Sequence, residues 1–199
     1  MFKLVENDNL DYKIYESVLS KAECEYIISN LKNWKQSTVF SRKGETEQLD
    51  RKSESTIELE NSPILDKVKK IISNLTKTEI SKQEHPISIV KYEVGGEFKP
   101  HYDYIGNMFN VDERAHKGER EKTAILYLND DYDGGETYFP LEDIKINPKE
   151  GNLLVFSNLN KNGQPNEKTL HSGLPVKRGI KYILVCFIRQ KTGNEISFI

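Results

Sequence analysis

The chain has 199 residues, 36% of them hydrophobic and 30% charged, with 29 basic side chains against 31 acidic ones and a formal net charge of −2. That length suits one domain with a sizeable core, and the composition is that of an ordinary soluble globular protein. The near balance of charge excludes a global field drawing the chain to nucleic acid or anionic lipid.

The first residues, MFKLVENDNLDYKIY, have no basic-then-apolar leader pattern, and no apolar run approaches the roughly 20 residues that span a bilayer. Cys24 and Cys186 fall in apolar segments and read as core thiols rather than a disulfide framework. The expectation is a cytoplasmic protein with no membrane and no nucleic-acid partner.

In chain order, SKAECEYIISNLKNW predicts a helix over 20–34. Ser20 and Glu23 form a capping box there, and Cys24, Ile27, Ile28 and Leu31 make one apolar face. The polar FSRKGETEQLDRKSES reads as a loop or short hairpin. NSPILDKVKKIISNL predicts a second helix over 62–75, with Ser62 as cap and Pro63 in its first turn. From Pro86 the texture changes to short strands separated by turn residues: ISIVKYEV, TAILYLN, ETYFP, DIKIN, NLLVFSN and KYILVCFIRQ. The last is apolar on both faces, as a central covered strand should be. The fold class is therefore mainly β with flanking helices (α+β), a sandwich or barrel. It is expected as one domain over 1–199, with a helical support region at 1–85 and a β core at 86–199. The charged loop 105–120 reads as a lid.

His101 and Asp103, in YEVGGEFKPHYDYIG, stand two residues apart at the end of a strand, where same-face geometry would let both bind one ion. Chance alone supplies roughly 0.2 such His-x-Asp pairs in this composition, and an ordinary ion pair is the bland alternative. A third ligand is needed. His85 and His116 are adequately explained by solvent exposure, whereas His171 sits in TLHSGLPVKRGIKYILV beside the most apolar strand. A turn centred on Val176 would place His171 opposite Lys181, putting an ammonium near the cluster. Two imidazoles and a carboxylate with open positions suit non-haem Fe(II), and a nearby cation suits an anionic cosubstrate.

The ordered set YEVGGEFKPHYD, TAILYLND, GGETYFP, PKEGNLLVF and LHSGLPVKRGIKY resembles the prolyl 4-hydroxylase family of Fe(II)/2-oxoglutarate dioxygenases over about residues 86–189. LSKAECEYII and RKSES are similar to that family's amino-terminal portion. The resemblance implies a double-stranded β-helix, or jelly-roll barrel. It implies iron on His101, Asp103 and His171, and the far carboxylate of 2-oxoglutarate on Lys181, with Tyr92 and, less directly, Thr137 as further cosubstrate contacts. Arg120 resembles a family arginine near the substrate groove. O2 is the second cosubstrate, ascorbate the reductant, and a proline-containing peptide or protein the substrate. Lys181-Tyr182 stands where the family usually has Lys-Trp, a departure that could alter the substrate channel. Rival readings are a cupin-like barrel using zinc or manganese, a non-catalytic module binding peptide or sugar, and the same oxygenase chemistry on another amino acid or small molecule.

Overall fold

The structure, a computed structural model, describes residues 3–37, 50–57, 59, 61–106, 117–147 and 149–192. In chain order the elements are β1 (Leu4–Asn7), β2 (Tyr12–Tyr15), α1 (Lys21–Ser29), β3 (Lys35–Gln36), β4 (Arg51–Lys52), β5 (Glu54–Thr56) and α2 (Pro63–Thr76). They continue with β6 (Ser88–Tyr92), β7 (Glu97–His101), β8 (Arg120–Tyr127), β9 (Asp133–Gly134), β10 (Thr137–Phe139), β11 (Ile144–Ile146) and β12 (Leu153–Ser157). β13 (His171–Gly173), β14 (Val176–Arg178) and β15 (Lys181–Arg189) complete the set.

Both helices start where their caps predict. The Ser20 side chain accepts from the Glu23 amide while the Glu23 carboxylate accepts from the Ser20 amide, so two orphan donors are satisfied reciprocally. Ser62 accepts from the Leu65 amide at 3.3 Å, with Pro63 in the first turn. The first helix stops at Ser29, not residue 34. Asn30 turns its side-chain amide onto the Tyr26 carbonyl at 2.8 Å, and Asn33 takes a left-handed φ of 54°, which redirects the chain into β3.

The strands form an eight-stranded sheet, β1-β2-β12-β8-β15-β6-β5-β3, facing a five-stranded sheet, β11-β10-β13-β7-β4; β14 and β9 pair separately. This is the expected jelly-roll barrel, with one difference from the expected division at residue 85: β1 to β5 all precede it and enter the two sheets. The first 85 residues are not a helical support alone. Segment 107–116, which holds His116 and most of the expected lid, lies outside the described residues.

Strand alternation explains why KYILVCFIRQ is apolar throughout. Leu184, Cys186 and Ile188 join Ala124, Leu126 and Leu128 on the outer face of the large sheet, against Cys24 and Ile27 of α1 and Leu65, Val68 and Ile72 of α2. Val90, Tyr92, Ile125, Tyr127 and Ile183 point inward to a second cluster with Phe139, Phe156 and Val176. Each fully buried aliphatic side chain in these layers contributes about 1.5–3 kcal/mol. Both cysteines are free and buried, as expected of core thiols.

Candidate active site

The small sheet brings two distant histidines together. His101 closes β7 and His171 opens β13, and the two are Cα partners in register. Asp103 lies just past the strand end. Its Oδ1 is 3.5 Å from His101 Nε2 and its Oδ2 is 3.5 Å from His171 Nε2. One ligand atom from each of the three residues falls within 4.8 Å of the others.

The tautomers follow from the partners. His101 Nδ1 is 2.8 Å from the Lys99 carbonyl, and His171 Nδ1 is 2.9 Å from the Thr169 carbonyl. A carbonyl only accepts, so each Nδ1 carries a proton and each ring turns its Nε2 toward the carboxylate. Burial pushes His171 down to about 4 although Asp103 pulls the other way, so that ring is neutral near pH 7. Burial opposes ionisation of Asp103 as well, but His171, His101 and the Thr123 hydroxyl outweigh it and hold the carboxyl below its usual range. Three electron-rich groups thus converge on one point. Their chemistry fits Fe(II), which two imidazoles and a carboxylate hold on one face while leaving positions open.

A buried relay supports the carboxylate. Thr123 Oγ1 donates to Asp103 Oδ2 at 2.7 Å, and Asn158 Nδ2 donates to Thr123 Oγ1 at 2.9 Å. Sequence reasoning missed both residues. Thr123 carried a usable signal, being the polar member of the inward series Thr123, Ile125, Tyr127; Asn158 reaches the site only through the fold. Phe98 stacks on His101 with centroids 3.5 Å apart, and Arg51 lies over Phe98 at 4.7 Å.

Lys181 is placed differently from expectation. It pairs with Tyr92 in the large sheet, and Val176 belongs to β14, which pairs with β9, so no hairpin joins His171 to Lys181. The two residues stand in opposite sheets and face one another's cavity because both strands turn that side inward. A single cavity of about 220 Å³ is lined by His101, Asp103, His171, Tyr92, Thr137 and Lys181 among others.

Lys181 is 3% exposed, and its ammonium donates to the Gly135 carbonyl at 2.7 Å, 5.2 Å from the Tyr92 ring centre and 5.9 Å from that of Tyr127. No other acceptor meets it among the described residues. Burial brings its pKa down to about 8, with Glu136 opposing, so a charged amine sits in an apolar wall with donors to spare. Gly135 permits this approach: it has a φ of 68°, and a Cβ there would fall 3.2 Å from Lys181 Cδ and 3.1 Å from Tyr132. Thr137 Oγ1 is 2.8 Å from the Tyr127 hydroxyl at the same end.

Arg120 and Tyr182 stand outside the cavity lining, the first of them next to it. Arg120 does not line the cavity; Glu84 grips its guanidinium through both oxygens at 2.9 Å, it lies 3.7 Å over the Phe187 ring, and it reaches the Asp103 carbonyl at 3.5 Å. Tyr182 turns outward, 6.0 Å from Trp34, so the Lys-Tyr departure falls on the outer face of the sheet, not in the channel.

Among curated relatives, Prolyl 4-hydroxylase 1 of Arabidopsis thaliana is 28% identical over 197 residues, covering 89% of this chain and 68% of the relative. Prolyl 4-hydroxylase 2 of the same plant is 32% identical over 209 residues, covering 92% and 68%. The chain therefore spans about two thirds of the length of these relatives. The crystal structure of the viral collagen prolyl hydroxylase of Paramecium Bursaria Chlorella virus-1, in its 2OG complex, is similar at a TM-score of 0.66 and 28% identity, covering 89% of this chain and 95% of that one. A Pseudomonas putida prolyl-4-hydroxylase, 18% identical, shares the fold at a TM-score of 0.62, with 90% and 92% covered. Residues 87–189, more than half of the chain and every strand from β6 to β15, match the family whose chemistry the converging imidazoles and carboxylate suit: this chain belongs to the 2OG-Fe(II) oxygenase superfamily.

Proposed function

We propose that the protein hydroxylates prolyl residues of a peptide or protein, consuming 2-oxoglutarate and O2 and releasing succinate and carbon dioxide. The observation that carries this reading is the sharing of one buried cavity by the His101–Asp103–His171 cluster and the under-satisfied Lys181 ammonium. His101, Asp103 and His171 would hold Fe(II) through two Nε2 atoms and a carboxylate oxygen. When bound, the iron supplies the activation of O2 that couples oxidative decarboxylation of 2-oxoglutarate to insertion of one oxygen into a C–H bond.

The chain's own residues supply orientation. Lys181 offers a fixed ammonium to the far carboxylate of 2-oxoglutarate, and its burial strengthens that attraction by excluding water. Tyr92, its partner across the ladder, and Thr137, next to the Tyr127 hydroxyl, line the same end and add hydrogen-bonding groups. Thr123 and Asn158 keep the Asp103 carboxylate from rotating, and the Nδ1 contacts of both histidines fix their rings. Ile183, Val185 and Phe187 make the intervening wall apolar, suited to a proline ring. A cupin-like hydrolase or isomerase has no need of the buried ammonium. Ascorbate would be the reductant that keeps such a site ferrous, and a cytoplasmic, reducing compartment suits two free buried thiols.

Incubation of the iron-loaded protein with 2-oxoglutarate and proline-rich peptides should release succinate and add one oxygen to proline, read by mass spectrometry. Succinate release without any gain of mass on proline across such peptides would overturn the assignment of substrate, and no succinate with any of them would overturn the activity.

A further inference from the structure

Beyond the catalytic cavity lies a second one, of about 340 Å³, lined by Lys82, Glu84, His85, Lys117, Arg189 and Lys191 among others. Four of its lining residues are basic, Lys82, Lys117, Arg189 and Lys191, and one, Glu84, is acidic, in a chain whose overall charge is −2. That carboxylate is already committed: it accepts from both Arg120 and Arg189, and although burial opposes ionisation, those two guanidinium groups hold its pKa below the usual range. The ammonium groups of Lys82 and Lys117, both half-buried, meet no acceptor among the described residues. Like charges gathered in a concave site destabilise one another unless an anion joins them.

The position of this cavity says which anion. β15 runs from Lys181, at the end of the catalytic cavity that holds the unsatisfied ammonium, through Phe187, paired with Thr123 beside Asp103, to Arg189, paired with Arg120. The basic cavity therefore lies beyond the metal-ligand cluster, on the side away from Lys181. Glu84 belongs to it and also grips Arg120, whose guanidinium covers Phe187 in the catalytic wall. Buried side chains, Tyr92, Tyr127 and Val176, surround Lys181 at that end, so a polypeptide with one residue at the cluster has this rim as an exit on the opposite side. From Phe187 to Lys191 is about 13 Å of extended chain, which an extended peptide covers in roughly four residues.

Resting on the proposed prolyl hydroxylation, we propose that the basic cavity is a specificity site for the polypeptide substrate, receiving an Asp or Glu carboxylate roughly three to five residues from the target proline. Lys82 and Lys117 provide the charge. The Glu84–Arg120–Arg189 network provides the rigid floor.

The test uses paired synthetic peptides with a single proline, one set carrying Glu roughly three, four or five residues to either side of it and the other Gln at the same place. Binding to the metal-loaded protein is measured by fluorescence anisotropy, and oxygen gain on the same peptides by mass spectrometry. At low salt the best Glu peptide should bind roughly five- to tenfold more tightly than its Gln twin. The difference should vanish in the Lys82→Gln/Lys117→Gln variant and shrink with added salt, while succinate formation with the Gln peptide stays unchanged. Equal binding of all Glu and Gln twins, or a difference that survives in the double variant, would overturn the site. Inorganic phosphate binding there without any preference among peptides would mark it as a small-anion site and equally overturn it. Hydroxylation without charge preference leaves the prolyl reading standing; charge preference without oxygen gain on proline defeats that reading instead.

Discussion

On one face of the eight-stranded sheet Leu184, Cys186 and Ile188 pack against the helices; on the other, alternate residues of the same strand, Lys181, Ile183, Val185 and Phe187, line the catalytic cavity. The outer face is dry and apolar, and its side chains lose only water on burial. The cavity between this inner face and the smaller sheet buries the Lys181 ammonium, the Asp103 carboxylate, the His171 imidazole and hydroxyl groups that include those of Thr123 and Thr137. Burying such groups opposes folding unless each finds a partner, and here some partners are left for ligands. The contrast teaches that stability and function are segregated by strand parity: shifting a residue by one position moves it from one role to the other.

Mutations on the two faces should therefore separate cleanly. Asp103→Ala in the cavity should abolish iron binding and turnover altogether while the chain still folds, as read by metal analysis, succinate release and circular dichroism. Ile72→Ala, fully buried in the outer layer, should lower stability by about 2–5 kcal/mol in urea denaturation and leave the metal and 2-oxoglutarate affinities of the folded protein unchanged. A loss of cosubstrate affinity in that variant would break the segregation.

Lys181→Met should weaken 2-oxoglutarate binding on the order of a hundredfold by calorimetry, because the bound carboxylate is then desolvated without a partner. Thr123→Val, nearly isosteric, should cost about 10–100-fold in metal affinity by freeing the Asp103 carboxylate. The smallest effect is one of pH. Only the ammonium form of Lys181 pairs with a carboxylate, and its pKa in the ligand-free fold is about 8. Binding above that value must take up a proton, so affinity should fall as pH rises, by about fivefold between pH 8 and 9. That slope should be absent from the Lys181→Met variant; a wild-type affinity flat across this range would show that another group holds the carboxylate.

Much of this protein was legible before folding was considered. Helix caps at Ser20 and Ser62, the short strands and turn residues from Pro86 onward and the His-x-Asp spacing are local, and local sterics and hydrogen bonding act between near neighbours in the chain. The ordered motifs that resemble the oxygenase family carried the identities of His171, Lys181, Tyr92 and Thr137. Their arrangement was not legible. His171 was expected opposite Lys181 across a hairpin, yet it pairs with His101, and Lys181 pairs with Tyr92. Strand partners are chosen by which apolar faces can be buried together across the whole barrel, a property of all strands at once. The same holds for the entry of β1 to β5 into the sheets, for the Asn158–Thr123–Asp103 relay and for Arg120, drawn to Glu84 from 36 residues away. The sequence by itself determined which groups could bind iron and an anion; the tertiary structure alone decided that they share a cavity, because only closure of two sheets brings inward-facing residues of distant strands within reach of one another.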